Sequence, residues 1–155
     1  MPYLLLAIDD SAATRHMVEY VADLAPQLRD CKVRLVAIIP NLPSDSQQLA
    51  ALLDRREQPE LHGDEDQYQE LVTAQDLLQD FKGQLVAAGL SAAAVSSKIL
   101  PECLGVAQDL HDEALAHGCD TIVVGRRSAA LSHLFGSVSE KLVKKAHPMS
   151  VWVIG

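Results

Sequence analysis

The last third of the chain carries residue types that could hold a phosphate group. Gly125 ends an apolar run of strand length, and Gly136 with Ser137 precedes a segment of helical pattern. Free N–H groups near Ser137 and Val138, together with the positive end of a helix dipole, would bind an anion. Ser137 and Glu140 also have the spacing of a capping box, which satisfies the same helix end without a ligand. Both interpretations predict a helix that starts at Ser137.

The loop after Gly125 adds positive charge to this segment. Arg126 and Arg127 bring guanidinium groups that pair with phosphate oxygens, and a glycine before them allows the backbone to approach a ligand closely. The alternative interpretation is a simple strand-to-loop turn followed by two solvated charges. The local pattern leaves both interpretations open.

Apolar strands alternate with amphipathic helices around these residues. The predicted strands are Tyr3–Ile8, Val33–Ile39, Val95–Leu100, Asp120–Gly125 and Met149–Ile154. The predicted helices cover residues 12–29, a segment from about Asp66 to Gly89, a segment from Pro101 to Gly118, and Ser137–Ala146. This order predicts one α/β domain over residues 1–155, with a five-stranded parallel sheet and helices on both faces.

Ligands of such sheets bind outside the carboxyl ends of the strands, where the strand order reverses. Asp9 follows the first predicted strand and would accept hydrogen bonds from a ribose or a base. Its other interpretation is local, because Asp10 and Ser11 follow it and the three residues together could cap the first helix.

Composition and charge exclude several classes of function. The 155 residues carry a net charge of −8, which argues against a general nucleic-acid or membrane-surface binder, since both need a basic face. No apolar run is long enough to span a bilayer. Residues 41–67 form an irregular acidic insert, and the stretch from Asp54 to Glu70 has seven acidic residues against Arg55 and Arg56. We interpret the insert as a solvated segment.

The reactive side chains lack the spacings of common catalytic and metal sites. The three cysteines, Cys31, Cys103 and Cys119, have no CxxC spacing and are interpreted as reduced cytosolic thiols. The six histidines have no HExxH pattern, and neither a Gly-x-Ser-x-Gly elbow nor a P-loop is present. The sequence therefore predicts no catalytic residues and no metal site.

Four segments together resemble the universal stress protein family over essentially the whole chain. Leu6–Ser11 is similar to the family's Val-Asp-Gly-Ser start, and Ala116–Gly125 is similar to its Ala-x4-Asp-Leu-Ile-Val-x-Gly block. Phe135–Lys141 resembles the family's Gly-Ser-Val-Ser helix, and Ala146–Ile154 resembles its Ala-x-x-Pro turn and final strand.

The resemblance implies a five-stranded α/β protein that forms a homodimer through its last strand, residues 149–154 here. One branch of the family binds ATP through Gly-x-x-Gly-x9-Gly-Ser/Thr. This chain departs from that pattern, because Ser128 replaces the second glycine and the loop before Gly136 is two residues short. Asp10 also replaces the glycine of the first turn.

The resemblance thus implies a cytoplasmic stress-response protein that binds ATP or a related adenine nucleotide, with Mg²⁺ accompanying ATP. Asp9 would contact the adenosine, and Ala37 and Ile38 would line the base. Ribose and phosphates would be held by Gly125, Arg126, Arg127, Ser128, Gly136, Ser137 and Val138. At most weak ATP hydrolysis is expected. The alternative is a dimeric interaction module of the same family that binds no nucleotide and acts through the acidic insert.

Overall fold

The computed structural model describes residues 2–40, 65–126 and 132–155, and of residues 65–67 and 132–137 it describes the backbone alone. The strands in these ranges are β1 (Tyr3–Ile8), β2 (Lys32–Ile39), β3 (Val95–Pro101), β4 (Thr121–Gly125) and β5 (Ser150–Ile154). The helices in the same ranges are α1 (Ala12–Leu24), α2 (Glu65–Ala88), α3 (Val106–Ala116) and α4 (Ser132–Lys145). Most of the acidic insert predicted at residues 41–67 lies outside the described residues.

The five strands form one parallel sheet in the order β3-β2-β1-β4-β5. The chain moves outward from β1 to β2 and β3, and then returns to the other side of β1 for β4 and β5. The strand order therefore reverses between β1 and β4, and the crevice for a ligand is expected at their carboxyl ends. The predicted α/β fold with a five-stranded parallel sheet is confirmed.

Two apolar layers enclose the sheet, because successive side chains of a strand point to opposite faces. Leu4, Leu6 and Ile8 of β1 pack with α1 and α2 on one face. Leu5 and Ala7 pack with α3 and α4 on the other face. Strands buried on both faces explain why they appear in the sequence as continuous apolar runs rather than alternating ones.

Two predicted helix boundaries near the sheet edges are wrong. The first helix ends at Leu24 and a 3-10 turn, Ala25–Gln27, follows it, because Pro26 cannot continue an α-helix. Pro101 does not begin a helix but ends β3, opposite Ile39. A proline is tolerated there because β3 is an edge strand.

Asp120, which belongs to the segment Ala116–Gly125 that resembles the family, has a structural role at the amino ends of β1 and β4. Its Oδ2 accepts a hydrogen bond of 2.8 Å from the backbone N–H of Tyr3, and its Oδ1 accepts one from the Thr121 hydroxyl. The Asp120 carboxylate therefore fastens the start of β4 to the start of β1. It lies at the amino ends of the strands, away from the expected ligand crevice.

Candidate functional site

Asp9 lies directly after β1 and is held by the first turn of α1. Ser11 is the N-cap of this helix, and its hydroxyl accepts a hydrogen bond of 3.1 Å from the backbone N–H of Thr14. The hydroxyls of Ser11 and Thr14 both donate to Oδ1 of Asp9, over 2.5 Å each. Within the described residues no hydrogen bond reaches Oδ2 of Asp9. The bonds that the structure describes thus fix the carboxylate through Oδ1.

Asp10, the residue that replaces the family's glycine, points to a different partner. Its Oδ1 pairs with Nη2 of Arg15 over 2.5 Å, and both side chains are more than half exposed. An ion pair at this exposure contributes little to stability. Asp9 and Asp10 both border the cavity described below but have different partners, and Asp9 alone of the two is joined to the N-cap network of α1.

A cavity of about 350 Å³ opens between the carboxyl ends of β1 and β2 and the helix α2. Asp9, Ala37 and Ile38 line it, so the structure brings together the three residues predicted to contact the adenosine. Most of the surrounding surface is apolar, and a carboxylate at its edge offers a directed hydrogen-bond acceptor. This combination is typical of a small-molecule site.

Helix α2 supplies the part of the wall that sequence reasoning missed. Gln69, Glu70, Thr73, Ala74 and Leu77 face the same cavity. The amphipathic pattern of residues 66–88 predicts a helix with a buried stripe, but it contains no signal for which turns lie over the carboxyl end of β2. That placement depends on how the helix crosses the sheet.

Gly125, at the end of β4, is required by packing. A β-carbon at this position would lie 2.8 Å from the carbonyl oxygen of Ala13 and 2.9 Å from its carbonyl carbon. A β-carbon essentially never lies this close to another non-bonded heavy atom, so a larger residue would push the first turn of α1 away from β4. The same contact places the first turn of α1, with its Asp9 network, beside the end of β4.

Arg126 follows Gly125 and runs along the end of β5. Its backbone N–H donates to the carbonyl oxygen of Ile154 over 2.6 Å, and its exposed side chain lies against Gly155. His16 of α1 reaches the same place, with Nε2 3.0 Å from the Gly155 oxygen. Arg127 and Ser128, two other predicted phosphate contacts, lie outside the described residues.

The start of α4 differs from the prediction. The helix begins at Ser132, so Gly136 and Ser137 lie in its second turn and not at its N-terminus. In an α-helix their N–H groups bond to the carbonyls of residues 132 and 133. Residues 132–135 contain neither glycine nor proline, so they are compatible with a helix, and the single interior glycine at position 136 costs about 1 kcal/mol.

Neither sequence interpretation of this helix end survives in its original form. Ser137 is not an N-cap, and Glu140 pairs forward with Lys144 over 3.1 Å instead of reaching back. Val138 is buried in the apolar layer under α4. The free N–H groups expected at the N-terminus of a helix belong to its first turn, residues 132–134.

Membrane-spanning helices, metal-binding groups and free thiols also bear on the type of site. No helix in the described ranges is both long and apolar enough to cross a bilayer. Across residues 2–40, 65–126 and 132–155, no three His, Cys, Asp or Glu side chains come together in a way that could hold a metal ion. Cys31 and Cys119 are buried free thiols, and Cys103 is an exposed one.

The described architecture defines a doubly wound α/β protein with a cavity at the carboxyl ends of β1 and β2. The model of the universal stress protein family matches residues 3–155. The chain therefore belongs to the universal stress protein family. No curated protein sequence matches it.

Solved structures of the same fold come from bacteria, archaea and plants. A universal stress protein family member from Burkholderia pseudomallei is 20% identical, with a TM-score of 0.66 over 98% of this chain and 94% of that one. The universal stress protein from Archaeoglobus fulgidus in complex with dAMP is 18% identical, with a TM-score of 0.66 over 100% and 98% of the two chains. An Arabidopsis thaliana family protein with AMP bound is 16% identical, with a TM-score of 0.64 over 99% and 91%.

Proposed function

We propose that this chain binds an adenine nucleotide in the cavity bordered by Asp9, in a cytoplasmic stress-response or regulatory role. The observation that carries the proposal is the cavity of about 350 Å³ beside a carboxylate that is held through one oxygen. Similar folds in the structures from Archaeoglobus fulgidus and Arabidopsis thaliana hold dAMP and AMP.

In this proposal the base lies against Ala37 and Ile38, and Oδ2 of Asp9 accepts a hydrogen bond from the base or the ribose. The phosphates extend toward Gly125 and the loop after it. They meet the first-turn N–H groups of α4, at residues 132–134, instead of those of Gly136 and Ser137. ATP is the proposed ligand, and Mg²⁺ would arrive bound to its phosphates, as is usual for this ion.

Calorimetric titration with AMP, ATP and ATP with Mg²⁺ tests the proposal. Thr73 is an exposed residue of the cavity wall, so Thr73→Trp should fill the cavity without disturbing the core and weaken binding by at least about tenfold. Gln79→Trp, on the same helix and also exposed but away from the cavity, is the matched control. Absence of heat at millimolar nucleotide would contradict the proposal, and unchanged affinity in Thr73→Trp would place the ligand elsewhere.

We also propose that the protein is a homodimer through β5. This strand ends the sheet, so one side of its backbone lacks a neighbouring strand within the described residues, and Val153 is 44% exposed. Pairing with a second copy would satisfy such an edge. Light scattering at micromolar concentration should give twice the mass of the chain, and Val153→Lys should shift the mass toward that of a monomer. A monomeric wild-type protein would refute this part.

The second candidate is a dimeric interaction module of the same family that binds no nucleotide. It is favoured by the position of Gly136 and Ser137 inside α4, which removes the anion site that the family's pattern implies. Its partner contact would be the acidic insert. Neutralising Asp54, Glu57, Glu60 and Asp64 should then abolish capture of a partner, while mass spectrometry of the purified protein finds no nucleotide. Phosphate release from ATP above background would instead reveal weak hydrolysis.

A further inference from the structure

A second cavity lies on the opposite face of the sheet from the Asp9 cavity. It has about 480 Å³ and opens between the loop that precedes α3, the first turn of α3, and α4. Ile38, Val106 and Val138 are among its apolar walls. Val138 belongs to the apolar layer of this face, and Ile38 and Val106 pack against that layer. Ile38 lines both cavities, at the carboxyl end of β2.

Leu104 is held at this second cavity in an exposed position. Leu104 is 73% exposed and lies in the loop before α3, although the helix predicted from Pro101 to Gly118 includes it. The carboxylate of Asp109 accepts hydrogen bonds from the backbone N–H groups of Cys103 and Leu104, over 2.8 and 3.0 Å. These two bonds fix the loop, so Leu104 remains an apolar surface that a ligand in the cavity could cover.

Positive charge accompanies the apolar walls. Lys141 and Lys145 line the cavity, and Glu102 is the one carboxylate among the lining residues that the structure describes. Lys145 donates to the side-chain oxygen of Gln108 over 3.3 Å. Within the part of the chain that the structure describes, neither lysine forms an ion pair with a carboxylate. The lining therefore has a net positive charge and ammonium groups that are open to an anion.

We propose that this cavity binds an amphipathic carboxylate, a hydrocarbon with one terminal carboxylate group. The hydrocarbon lies between Leu104, Val106 and Val138, where it removes apolar surface from water. The carboxylate meets the ammonium groups of Lys141 and Lys145. Asp9 and the α2 wall take no part in the second cavity, and among the described residues the two cavities share Ile38 and Pro40.

Decanoate titrated into the full-length protein, followed by amide ¹H–¹⁵N spectra, tests the proposal. Saturable shifts are expected at residues 102–108 and 138–145, with one decanoate per chain. Leu104→Ser should weaken binding about tenfold through lost apolar contact. Lys141→Glu should weaken it about fivefold through reversed charge at an exposed position. Decanol should bind more weakly than decanoate.

Lys144→Glu is the matched control for charge. Lys144 lies on the same helix, pairs with Glu140 and does not line the cavity, so its replacement should leave decanoate affinity within about twofold of wild type. Shifts that do not saturate, or equal affinity of the wild type and Lys141→Glu, would overturn the proposal. Displacement of decanoate by AMP would also overturn it, because the two cavities would then form one nucleotide site.

Discussion

Arg34 of β2 and Glu113 of α3 form an ion pair that is almost closed to solvent. Nε and Nη2 of Arg34 donate to Oε1 of Glu113 over 3.0 and 2.5 Å. The two side chains are only 11% and 12% exposed. His117 lies one helical turn after Glu113, with Nε2 3.2 Å from both the guanidinium and the carboxylate. The pair joins the central part of the sheet to α3.

Replacing Glu113 alone should destabilise the fold strongly. Glu113→Leu keeps a good helix former of similar size but leaves the guanidinium without its carboxylate in a place that water barely reaches. Breaking a buried pair in this way costs about 3–5 kcal/mol. His117 is 43% exposed and gives water some access, so we expect the lower end of that range, about 3 kcal/mol. For a chain of this length the melting temperature should fall by about 6–12 °C.

Replacing both partners should be nearly neutral. Arg34→Met with Glu113→Leu removes both charges together, and apolar replacements of buried pairs are tolerated well, so the double variant should lie within about 1 kcal/mol of wild type. Urea unfolding of the wild type, both single variants and the double variant gives the free energies of unfolding and the coupling between the sites.

An exposed pair provides the control. Glu140 and Lys144 lie 3.1 Å apart with side chains that are 67% and 71% exposed, so Glu140→Leu should change the free energy of unfolding by less than about 0.5 kcal/mol. A loss below about 1 kcal/mol in Glu113→Leu, or a double variant as unstable as the sum of the two single ones, would refute the reasoning from burial.

Three other substitutions and one thiol reaction separate tertiary from local effects. Gly125→Ala should lower the free energy of unfolding by about 1–3 kcal/mol, because the added methyl group clashes with α1. Gly83→Ala should raise the free energy of unfolding by about 0.5–1 kcal/mol, because Gly83 lies inside α2 and faces open space. Urea unfolding measures the sign of both changes. Gly136→Ala should leave nucleotide affinity unchanged, since this glycine lies within α4 and not at its N-terminus; a loss of affinity in calorimetry would show that Gly136 belongs to the phosphate site. Burial raises the pKa of Cys119 from 9.0 to about 11, so about a hundredfold less of its thiol is thiolate than in an unperturbed cysteine. Cys119 should therefore react slowly with an aromatic disulfide at pH 8, whereas the exposed Cys103 should react quickly. Rapid release of more than one equivalent of thiolate would contradict the last expectation.

The strands and the starts of α1 and α2 were predictable, whereas the starts of α3 and α4 were not. The three inner strands, β1, β2 and β4, are short apolar runs that are almost entirely buried on both faces, and that pattern is visible residue by residue. The starts of α3 and α4 depend on competing local choices. Pro101 is compatible with both a first helical turn and an edge strand, and the pairing with Ile39 selects the strand. Ser137 could cap a helix, but residues 132–135 form helical turns before it.

The candidate site was predictable only in part. Asp9 and Ile38 follow or end strands that lie side by side, so the rule for parallel sheets predicts that they meet at one edge. The α2 wall could not be predicted, because a helical pattern specifies a buried face but not the residues that face lies against. Leu104 shows the same limit in the other direction, since its apolar character matches the buried face of a predicted helix while Asp109 holds it in solvent.

The sequence by itself determined the alternation of strands and helices, and with it the parallel sheet and the edge where a ligand would bind. It determined these features because the patterns that indicate a buried strand or an amphipathic helix lie within short stretches of neighbouring residues. The tertiary structure decided which glycine is required by packing, where α4 begins, and which helix closes the Asp9 cavity. Those outcomes depend on contacts between distant segments, such as Gly125 with Ala13, whose distances no local pattern contains.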